Sequence, residues 1–365
     1  MAAISTTPPK KGKPAWVKII AQYQKPVLSA SVSQLANSFL PYAAVWALAA
    51  ASVLLGWSYW ITLGLAVLAS GFLMRIFIIQ HDCGHQSFFK SKKANDLTGF
   101  ICGVLTMTPY EYWRTSHAIH HATAGNLDHR GVGDVYTMTV KEFLAGTPTD
   151  RFKYRMYRNP ILMFLLAPGF MFMINQRTPL ALPFATSKQG RRSLYYTDLA
   201  IFSLAVVLSL IIGFRNYLII QIPINIIAAT VGVWLFYIQH QFEEAYWKPE
   251  DDWDYTTAAL KGSSYYKLPK VFQWFTGNIG LHHIHHLSPR IPNYLLEKVH
   301  NDNPEFQQVP IITLWASAKI LLSRLALWDE DEKRLVSFAE VDRRQRAAAI
   351  ADTANPTNTE TETAS

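Results

Sequence analysis

Eight of the twelve histidines fall into three short groups along the chain. The first is a pair separated by three residues, and the other two have the spacing H-x2-H-H. In chain order the groups are His81 and His85; His117, His120 and His121; and His282, His285 and His286. On a helix, positions i, i+3 and i+4 share a face, so each group directs its imidazoles towards one point. Eight ring nitrogens exceed what one tetrahedral ion can use, and they suit two ions.

The residues around the histidines narrow the kind of metal. A single group could be a pair of core side chains or a partner for a helix end, but three such groups favour a metal site. A zinc peptidase of the H-E-x-x-H kind is disfavoured, because Asp82 and Ala118 stand where that motif has glutamate. A haem cytochrome would need pairs of histidines inside the bilayer. It is disfavoured because the apolar segments that could cross a membrane contain no histidine before His240. Imidazole binds iron, copper, nickel and zinc alike. An all-nitrogen, two-ion site at a membrane surface favours redox iron acting on a lipid.

The elements that must position these histidines are membrane helices. Half of the 365 residues (50%) are hydrophobic and only 16% are charged, compared with roughly 25% charged in soluble domains. From Pro26 to Met74 the chain has 49 consecutive residues without a charged side chain or histidine. A second charge-free pair of segments is interrupted only by Arg215. Segments of about 20 residues cross a hydrocarbon core of ~30 Å. The four predicted spans are 39–57, 60–80, 199–214 and 216–239.

Two further uncharged stretches, 97–110 and 159–176, are predicted at the membrane interface or in re-entrant positions. The first is short for a span, and the second is broken by Pro168-Gly169. A full crossing by the second stretch would separate the histidine groups across the bilayer, whereas four spans keep them on one side. Five lysines precede residue 26 and no acidic residue precedes Asp82. The positive-inside bias therefore predicts that the N-terminus, the histidine groups and the C-terminus are cytoplasmic.

The predicted architecture is an all-α membrane protein, with four transmembrane helices in two hairpins and a cytoplasmic helical cap that carries a di-iron site. Two cysteines, Cys83 and Cys102, exclude a disulfide framework. The predicted divisions are a basic cytoplasmic N-terminal segment (1–38), a first hairpin (39–80), a cytoplasmic or interfacial region with the first two histidine groups (81–196), a second hairpin (197–239), a cytoplasmic region with the third group (240–340) and a disordered tail (341–365).

The histidine groups and their flanking residues resemble the membrane fatty acid desaturases. The resemblance is carried by HDCGHQSFF (81–89), PYEYWRTSHAIHHATAGNLD (109–128), QHQFE (239–243) and NIGLHHIHHLSPRIPNY (278–294). These stretches are most similar to the acyl-lipid branch, which includes bacterial membrane-phospholipid enzymes and the plastid and cyanobacterial omega-6 enzymes. The resemblance covers about residues 40–320.

This resemblance implies an oxygen-dependent enzyme that introduces a double bond into acyl chains of membrane glycerolipids, at the omega-6 (delta-12) position. It implies two iron ions held by the eight histidines of the three groups. His240, just after the fourth span, matches an additional ligand of the related acyl-CoA desaturases. The chain departs from those relatives in having three residues rather than four between His81 and His85, and in having Phe236 where they carry an asparagine near one iron.

Other side chains near the groups have two interpretations each. Carboxylates can orient ligand rings through the distal N–H, or they can be solvated residues beside a membrane. The candidates are Asp82, Glu111, Asp128, Glu243 and Glu244, with His283 as a further neighbour. His129 and His300 stand alone and are expected at the surface or outside the ligand set. Aromatic residues can line an acyl slot or, by default, anchor the protein at the interface. These are Tyr110, Tyr112, Trp113, Tyr265, Tyr266, Phe272, Trp274 and Phe275.

The electrons must come from a separate donor. The chain has no H-P-G-G segment of a fused cytochrome b5 and no G-x-G-x-x-G cofactor loop. Basic residues would attract an acidic ferredoxin-like or flavodoxin-like donor, and they suit anionic lipid equally. They are Lys188, Arg191, Arg192, Lys261, Lys267 and Lys270. We expect no nucleic-acid partner. Two alternatives stay open: a di-iron hydroxylase or ketolase of lipids or carotenoids, and a non-enzymatic membrane metal-binding or receptor protein.

Overall fold

The computed structural model describes residues 15–178 and 187–354, and this part of the chain is mainly helical. Its α-helices are α1 (Ala15–Ala21), α2 (Leu28–Leu54), α3 (Tyr59–Gly84), α4 (Lys92–Leu105), α5 (Tyr110–Thr123), α6 (Val140–Ala145), α7 (Pro148–Tyr157), α8 (Ala167–Met173), α9 (Lys188–Ile212), α10 (Phe214–His240), α11 (Tyr255–Lys261), α12 (Lys270–Phe275), α13 (His282–Leu287), α14 (Asn293–Asp302), α15 (Leu314–Ser323) and α16 (Phe338–Ala354). The first fourteen residues, with three of the N-terminal lysines, lie outside the described residues.

Four helices are long and apolar enough to cross a membrane, namely α2, α3, α9 and α10. Each overlaps one predicted span, which confirms the expectation of an all-α membrane protein with four such helices, although α2 and α9 end at Leu54 and Ile212, before the predicted ends at 57 and 214. Two of them begin well before the predicted boundaries, at Leu28 rather than 39 and at Lys188 rather than 199. A hydropathy pattern marks only the residues that face lipid. The first turns of α2 carry polar side chains that pack on protein, so the pattern does not include them. Ser31 Oγ donates to the Phe88 carbonyl at 2.6 Å, for example.

A short turn with a glycine separates α2 from α3, and another separates α9 from α10. Gly56 has a φ of +68° between α2 and α3, and the Oγ of Ser52 lies 2.8 Å from Oγ1 of Thr62 across that turn. Gly213, with a φ of +89°, is the single residue between α9 and α10. Arg215, predicted to separate these spans, lies inside α10 instead. Glycine provides the break because it adopts positive φ without a steric penalty.

The stretch predicted at 159–176 forms the second of two helical segments that are joined at a bend. Pro148–Tyr157 and Leu162–Arg177 meet at 52°, and the second segment begins with a π-helical turn at Leu162–Leu166. The guanidinium of Arg177 donates to Asp198 Oδ1 at 2.6 Å, so the end of this segment lies beside the first half of α9. Its position relative to the bilayer stays a prediction.

The described part of the chain contains one short strand before residue 240 and four beyond it, in the region predicted to be helical. They are β1 (Met138–Thr139), β2 (Tyr265–Lys267), β3 (Ile311–Thr313), β4 (Leu325–Asp329) and β5 (Arg334–Ser337). β4 pairs with β1 in parallel and with β5 in antiparallel, and β2 pairs with β3 in parallel. All five residues of β4 are buried, so apolar and polar residues do not alternate along it. Without that alternation the sequence does not distinguish this strand from a buried helix.

The tail predicted as disordered from residue 341 begins as a helix, so that prediction is wrong for 341–354. α16 continues to Ala354. Arg344 forms an ion pair with Asp329 at 2.6 Å and another with Glu340, one turn earlier on the same helix. Three consecutive alanines, at 347–349, favour the helix further. The remainder of the predicted tail, 355–365, lies outside the described residues.

Candidate metal centre

The structure brings all eight predicted histidines together with His240, in two groups. The five-histidine group consists of His81, His85, His117, His121 and His285. The four-histidine group consists of His120, His240, His282 and His286. Within each group the ring nitrogens that can bind an ion lie within 4.8 Å of one another. Residues as far apart as His81 and His285, which are 204 positions apart in the chain, contribute to one group.

Four elements position these rings: the end of α3, α5, the end of α10, and α13. Two of them serve both groups. His120 and His121 are neighbours on α5, and side chains of neighbouring helical residues point about 100° apart, so they enter different groups. α13 divides its histidines in the same way, with His285 in the first group and His286 in the second.

The ring nitrogens are arranged as ligands rather than as hydrogen-bonding partners. His285 Nε2 lies 2.9 Å from His81 Nε2 and 2.9 Å from His121 Nε2. His282 Nε2 lies 2.9 Å from His240 Nε2 and 3.1 Å from His286 Nε2. A nitrogen of a neutral imidazole either donates or accepts, so convergent Nε2 atoms cannot all be satisfied by one another. Separations of about 3 Å are those of adjacent nitrogens bound to one ion with bonds of ~2.1 Å. The two groups therefore fit metal ions.

Burial keeps these rings in the form that binds metal. The pKa of each ring outside the spanning helices is well below its ordinary value, first because burial disfavours the charged form and second because other histidines lie nearby. The histidines with this lowered pKa are His85, His117, His120, His121, His282, His285 and His286. Neutral imidazole is the state that binds a metal ion, so the fold holds the rings ready for metal at neutral pH.

Hydrogen bonds at the Nδ1 atoms orient two of the rings. His81 Nδ1 lies 3.1 Å from Asp82 Oδ1, and Asp82 is 1% exposed. The other carboxylate oxygen accepts from the backbone and side-chain nitrogens of Asn293, at 2.7 and 2.8 Å. The carbonyl of Gly262 lies 3.1 Å from His240 Nδ1. Of the predicted orienting carboxylates Asp82 is thus in place, while Asn293 and the Gly262 carbonyl were not predicted. A buried asparagine and a backbone carbonyl leave no pattern in the sequence.

The remaining predicted neighbours have other partners. Glu111 pairs with Arg114 at 3.3 Å, and Glu243 pairs with Arg334 at 3.2 Å. Asp128 accepts from the backbone nitrogen of Glu250 at 2.8 Å, and Glu244 is exposed. His283 lies 5.6 Å from His300 between ring centroids, in a separate pair, and His129 lies 3.5 Å from Glu250 at the surface. None of these residues joins either histidine group within the described residues.

A cavity of about 730 Å³ borders the histidines. Three of its wall residues are His81, His117 and His282, and the Trp113 ring stacks on His117 with centroids 4.5 Å apart. Ser116, Asp134 and Gln239 line it as well, and α3 and α10 contribute apolar residues to the wall. These residues are Leu73, Met74, Phe77, Ile78, Ala228, Ala229, Gly232, Val233, Leu235 and Phe236. Of the predicted aromatic residues, Tyr112 and Trp113 line the cavity and Phe272 is 52% exposed, whereas Tyr110 and Tyr266 are buried and do not line the cavity.

The family described as "Fatty acid desaturase" matches residues 57–315. This chain belongs to the fatty acid desaturase family. A "Fatty acid desaturase" of Bacillus subtilis is 48% identical over 329 residues, which cover 89% of this chain and 90% of that protein. An "sn-1 oleoyl-lipid 12-desaturase" of Synechocystis is 27% identical over 63% of this chain and 64% of that protein. An "sn-1 acyl-lipid omega-3 desaturase (ferredoxin)" of Nostoc is 28% identical over 61% of this chain and 62% of that protein.

Family membership confirms the resemblance predicted from the histidine groups. This desaturase is an oxidoreductase and an integral membrane protein with four apolar helices. The matched region, 57–315, includes all nine histidines of the two groups. A membrane receptor that uses the histidines only as a structural site is thereby set aside. The identity of the metal and the ligand role of each histidine stay predictions.

Proposed function

We propose that this desaturase uses oxygen and electrons from a separate donor to introduce a double bond into acyl chains of membrane glycerolipids. The observation that carries the proposal is that His81, His117 and His282 form part of the wall of an apolar cavity. Its volume, about 730 Å³, lies in the range of ligand sites, roughly 300–1,000 Å³. Such a cavity takes a hydrocarbon chain and holds a methylene beside both histidine groups.

Two iron ions suit the two groups, one held by the five-histidine group and one by the four-histidine group. When bound, they supply with oxygen the oxidising power that an unactivated methylene requires and that no side chain has. The protein holds the proton of His81 at Nδ1, against Asp82, and that of His240 at Nδ1, against the Gly262 carbonyl. Both Nε2 atoms therefore face the groups unprotonated. Trp113 and Phe236 cover the rings of His117 and His120 and exclude water.

The proposed topology has two hairpins with the histidines and both termini on the cytoplasmic side. α2 begins near the ends of α3 and the third histidine group, since Val27 N donates to the Tyr294 hydroxyl at 2.9 Å. α9 begins near α5, since Ser193 Oγ accepts from Glu111 N at 3.0 Å. Both pairs therefore start and finish on the side of the histidines. The basic N-terminal residues favour the cytoplasm for that side.

The names of two relatives support the lipid substrate and the donor. One is named for an oleoyl lipid and position 12, which supports the omega-6 (delta-12) position for this chain. The name of the more similar Bacillus relative states no position. Another relative is named for ferredoxin. Lys188, Arg191 and Arg192 are exposed at the start of α9, where they would attract an acidic donor. With ferredoxin as donor, turnover should fall as ionic strength rises.

Lipid mass spectrometry of an aerobic host that supplies ferredoxin tests the proposal directly. Host lipids with the wild-type protein should lose two mass units per acyl chain relative to lipids with His286→Ala, and fragmentation should place the double bond. A gain of one oxygen instead would show a hydroxylase or ketolase and would contradict desaturation. Unchanged lipids from a host in which the purified protein carries its iron would also overturn the proposal.

A further inference from the structure

One part of the cavity wall, here called the polar end, is lined by amide and hydroxyl side chains. Asn175, Gln176 and Asn225 line this end, together with Thr106 and Thr108. Met107 links them, because its carbonyl accepts from Arg177 at 2.6 Å and its sulfur lies 2.8 Å from Asn225 Nδ2. Asn225 precedes His240 by fifteen residues on α10, which corresponds to roughly 22 Å along the helix. Thr106 Oγ1 donates to Gln80 Oε1 at 2.6 Å, and Gln80 directly precedes His81, so the polar residues extend from the level of Asn225 to that of the histidines on α3.

Gln176 has a buried polar atom without a partner among the described residues. The residue is 6% exposed, it lines the cavity, and its Oε1 atom makes no hydrogen bond within the described residues. A buried polar group without a partner costs about 1–3 kcal/mol, so it persists where it serves a function. The Asn175–Arg177 turn is fixed by the ion pair between Arg177 and Asp198, at 2.6 Å. The side-chain amide is thus held in place at the polar end, with an oxygen that has no partner among the described residues.

The surroundings identify the chemical class of the missing partner. Tyr195 and Tyr196 are 56% and 55% exposed and mark the interface level on α9, and Asp198 follows within one turn. Gln176 therefore lies near the membrane interface on the side of the histidines. Phe170, which also lines the cavity, is 58% exposed, so the cavity borders the bilayer. A ligand that enters from the bilayer, is apolar along most of its length and carries one uncharged polar group is an ester-linked acyl chain.

We propose that the Gln176 amide hydrogen-bonds the ester group of the acyl chain that is desaturated. An amide presents either its oxygen or its N–H after rotation by 180°, so Gln176 can donate to the ester carbonyl. The inference rests on the proposed function and deepens it. Gln176 is then a positioning residue.

Competition between two lipids tests this hydrogen bond without requiring turnover. An ester-linked phospholipid and its ether analogue, which lacks only the carbonyl, compete for the purified protein against a fluorescent fatty acyl probe. Wild type should prefer the ester by about threefold to tenfold, the strength of one hydrogen bond. Gln176→Met, which keeps the side-chain volume, should bind both lipids equally. Gln273→Met removes a buried glutamine that does not line the cavity and should keep the preference.

The outcomes separate this inference from the proposed function. The proposed hydrogen bond is wrong if Gln176→Met prefers the ester lipid as strongly as wild type does. It is also wrong if wild type binds the ester and ether lipids equally. A melting temperature of Gln176→Met within a few degrees of wild type, which is expected because an unsatisfied polar atom is removed, shows that the fold is intact. If Gln176→Met melts far lower, Gln176→Glu serves as the second variant, because it keeps the shape but cannot donate when ionised. A wild type that prefers the ester yet fails to desaturate lipids would contradict only the proposed function.

Discussion

His240 Nε2 lies 2.9 Å from His282 Nε2, although the two residues are 42 positions apart and lie on different helices. The His240 ring also lies 4.8 Å from the His120 ring and 4.8 Å from the His286 ring, between centroids. His240 ends α10, so the last turn of a membrane-spanning helix supplies one of the four rings of its group. The position of this residue at the end of an apolar segment predicted that proximity.

Changing His240 to alanine should remove about half of the bound iron and abolish desaturation, because a three-histidine remnant loses affinity for its ion. Membrane insertion should be unaffected, since His240 lies at the end of the spanning helix. Iron per chain is measured by elemental analysis of the purified protein. His129→Ala is the matched control, because His129 is exposed and outside both groups. A His240→Ala protein with full iron and full activity would remove His240 from the ligand set.

Changing Asp82 to asparagine should lower iron affinity by about 10–100-fold, because the variant loses the charge that holds the proton on His81 Nδ1. The measurement is a competition between the protein and a chelator of known affinity. Asp128→Asn should leave the affinity unchanged, since that carboxylate accepts from Glu250 N and does not touch the groups. Equal affinities of the two variants would show that Asp82 acts only through its contact with Asn293.

The orienting contacts illustrate what the sequence could and could not predict. Asp82 adjoins His81 in the chain, so its role follows from local geometry. Asn293 and Gly262 reach the same site through long-range packing, and no spacing rule connects either of them to a histidine. The first turns of α2 escaped prediction for a related reason. Gln34 is 3% exposed because it contacts Asn293 at 3.1 Å, and hydropathy cannot register a polar residue buried by protein.

Filling the cavity should stop the reaction without removing iron. Ala229 lines the cavity on α10, and a phenylalanine there would occupy space that the acyl chain needs. We expect desaturation to fall on the order of 100-fold, because a displaced chain loses its alignment with the histidines. Lipid analysis and iron content are measured together. Ala44→Phe adds the same ring at an exposed position of α2 and should keep activity. If Ala229→Phe retains normal activity, the acyl chain does not use this cavity.

Asp134, in the cavity wall, should make stability depend on pH. Burial raises its pKa from 3.8 to about 6, while the Gly131 N–H and Arg130 act in the opposite direction. The folded protein therefore binds this proton more tightly than the unfolded chain, and stability is lost as pH rises through 6. Asp134→Asn avoids that loss, because the amide stays neutral and its oxygen still accepts from Gly131 N.

Thermal unfolding of wild type and Asp134→Asn at pH 5 and pH 8 measures this effect. The free energy of unfolding of Asp134→Asn, relative to wild type, should increase by about 1 kcal/mol from pH 5 to pH 8. The titration of the histidines cancels in this difference because both proteins share them. Asp251→Asn, at an exposed position, controls for removal of a surface charge. An advantage that shrinks towards pH 8 would show that the Asp134 carboxyl is stabilised in its charged form.

The division of α5 and α13 between the two histidine groups has a mechanical consequence. His120 and His121 are consecutive residues, as are His285 and His286, yet the members of each pair enter different groups. The spacing between the groups is therefore set by bonds within two helices rather than by contacts between separate parts of the protein. When either helix shifts in thermal motion, it carries rings of both groups with it. The separation between the two centres therefore fluctuates less than the position of either one, and a single inserted residue within α5 would disrupt both.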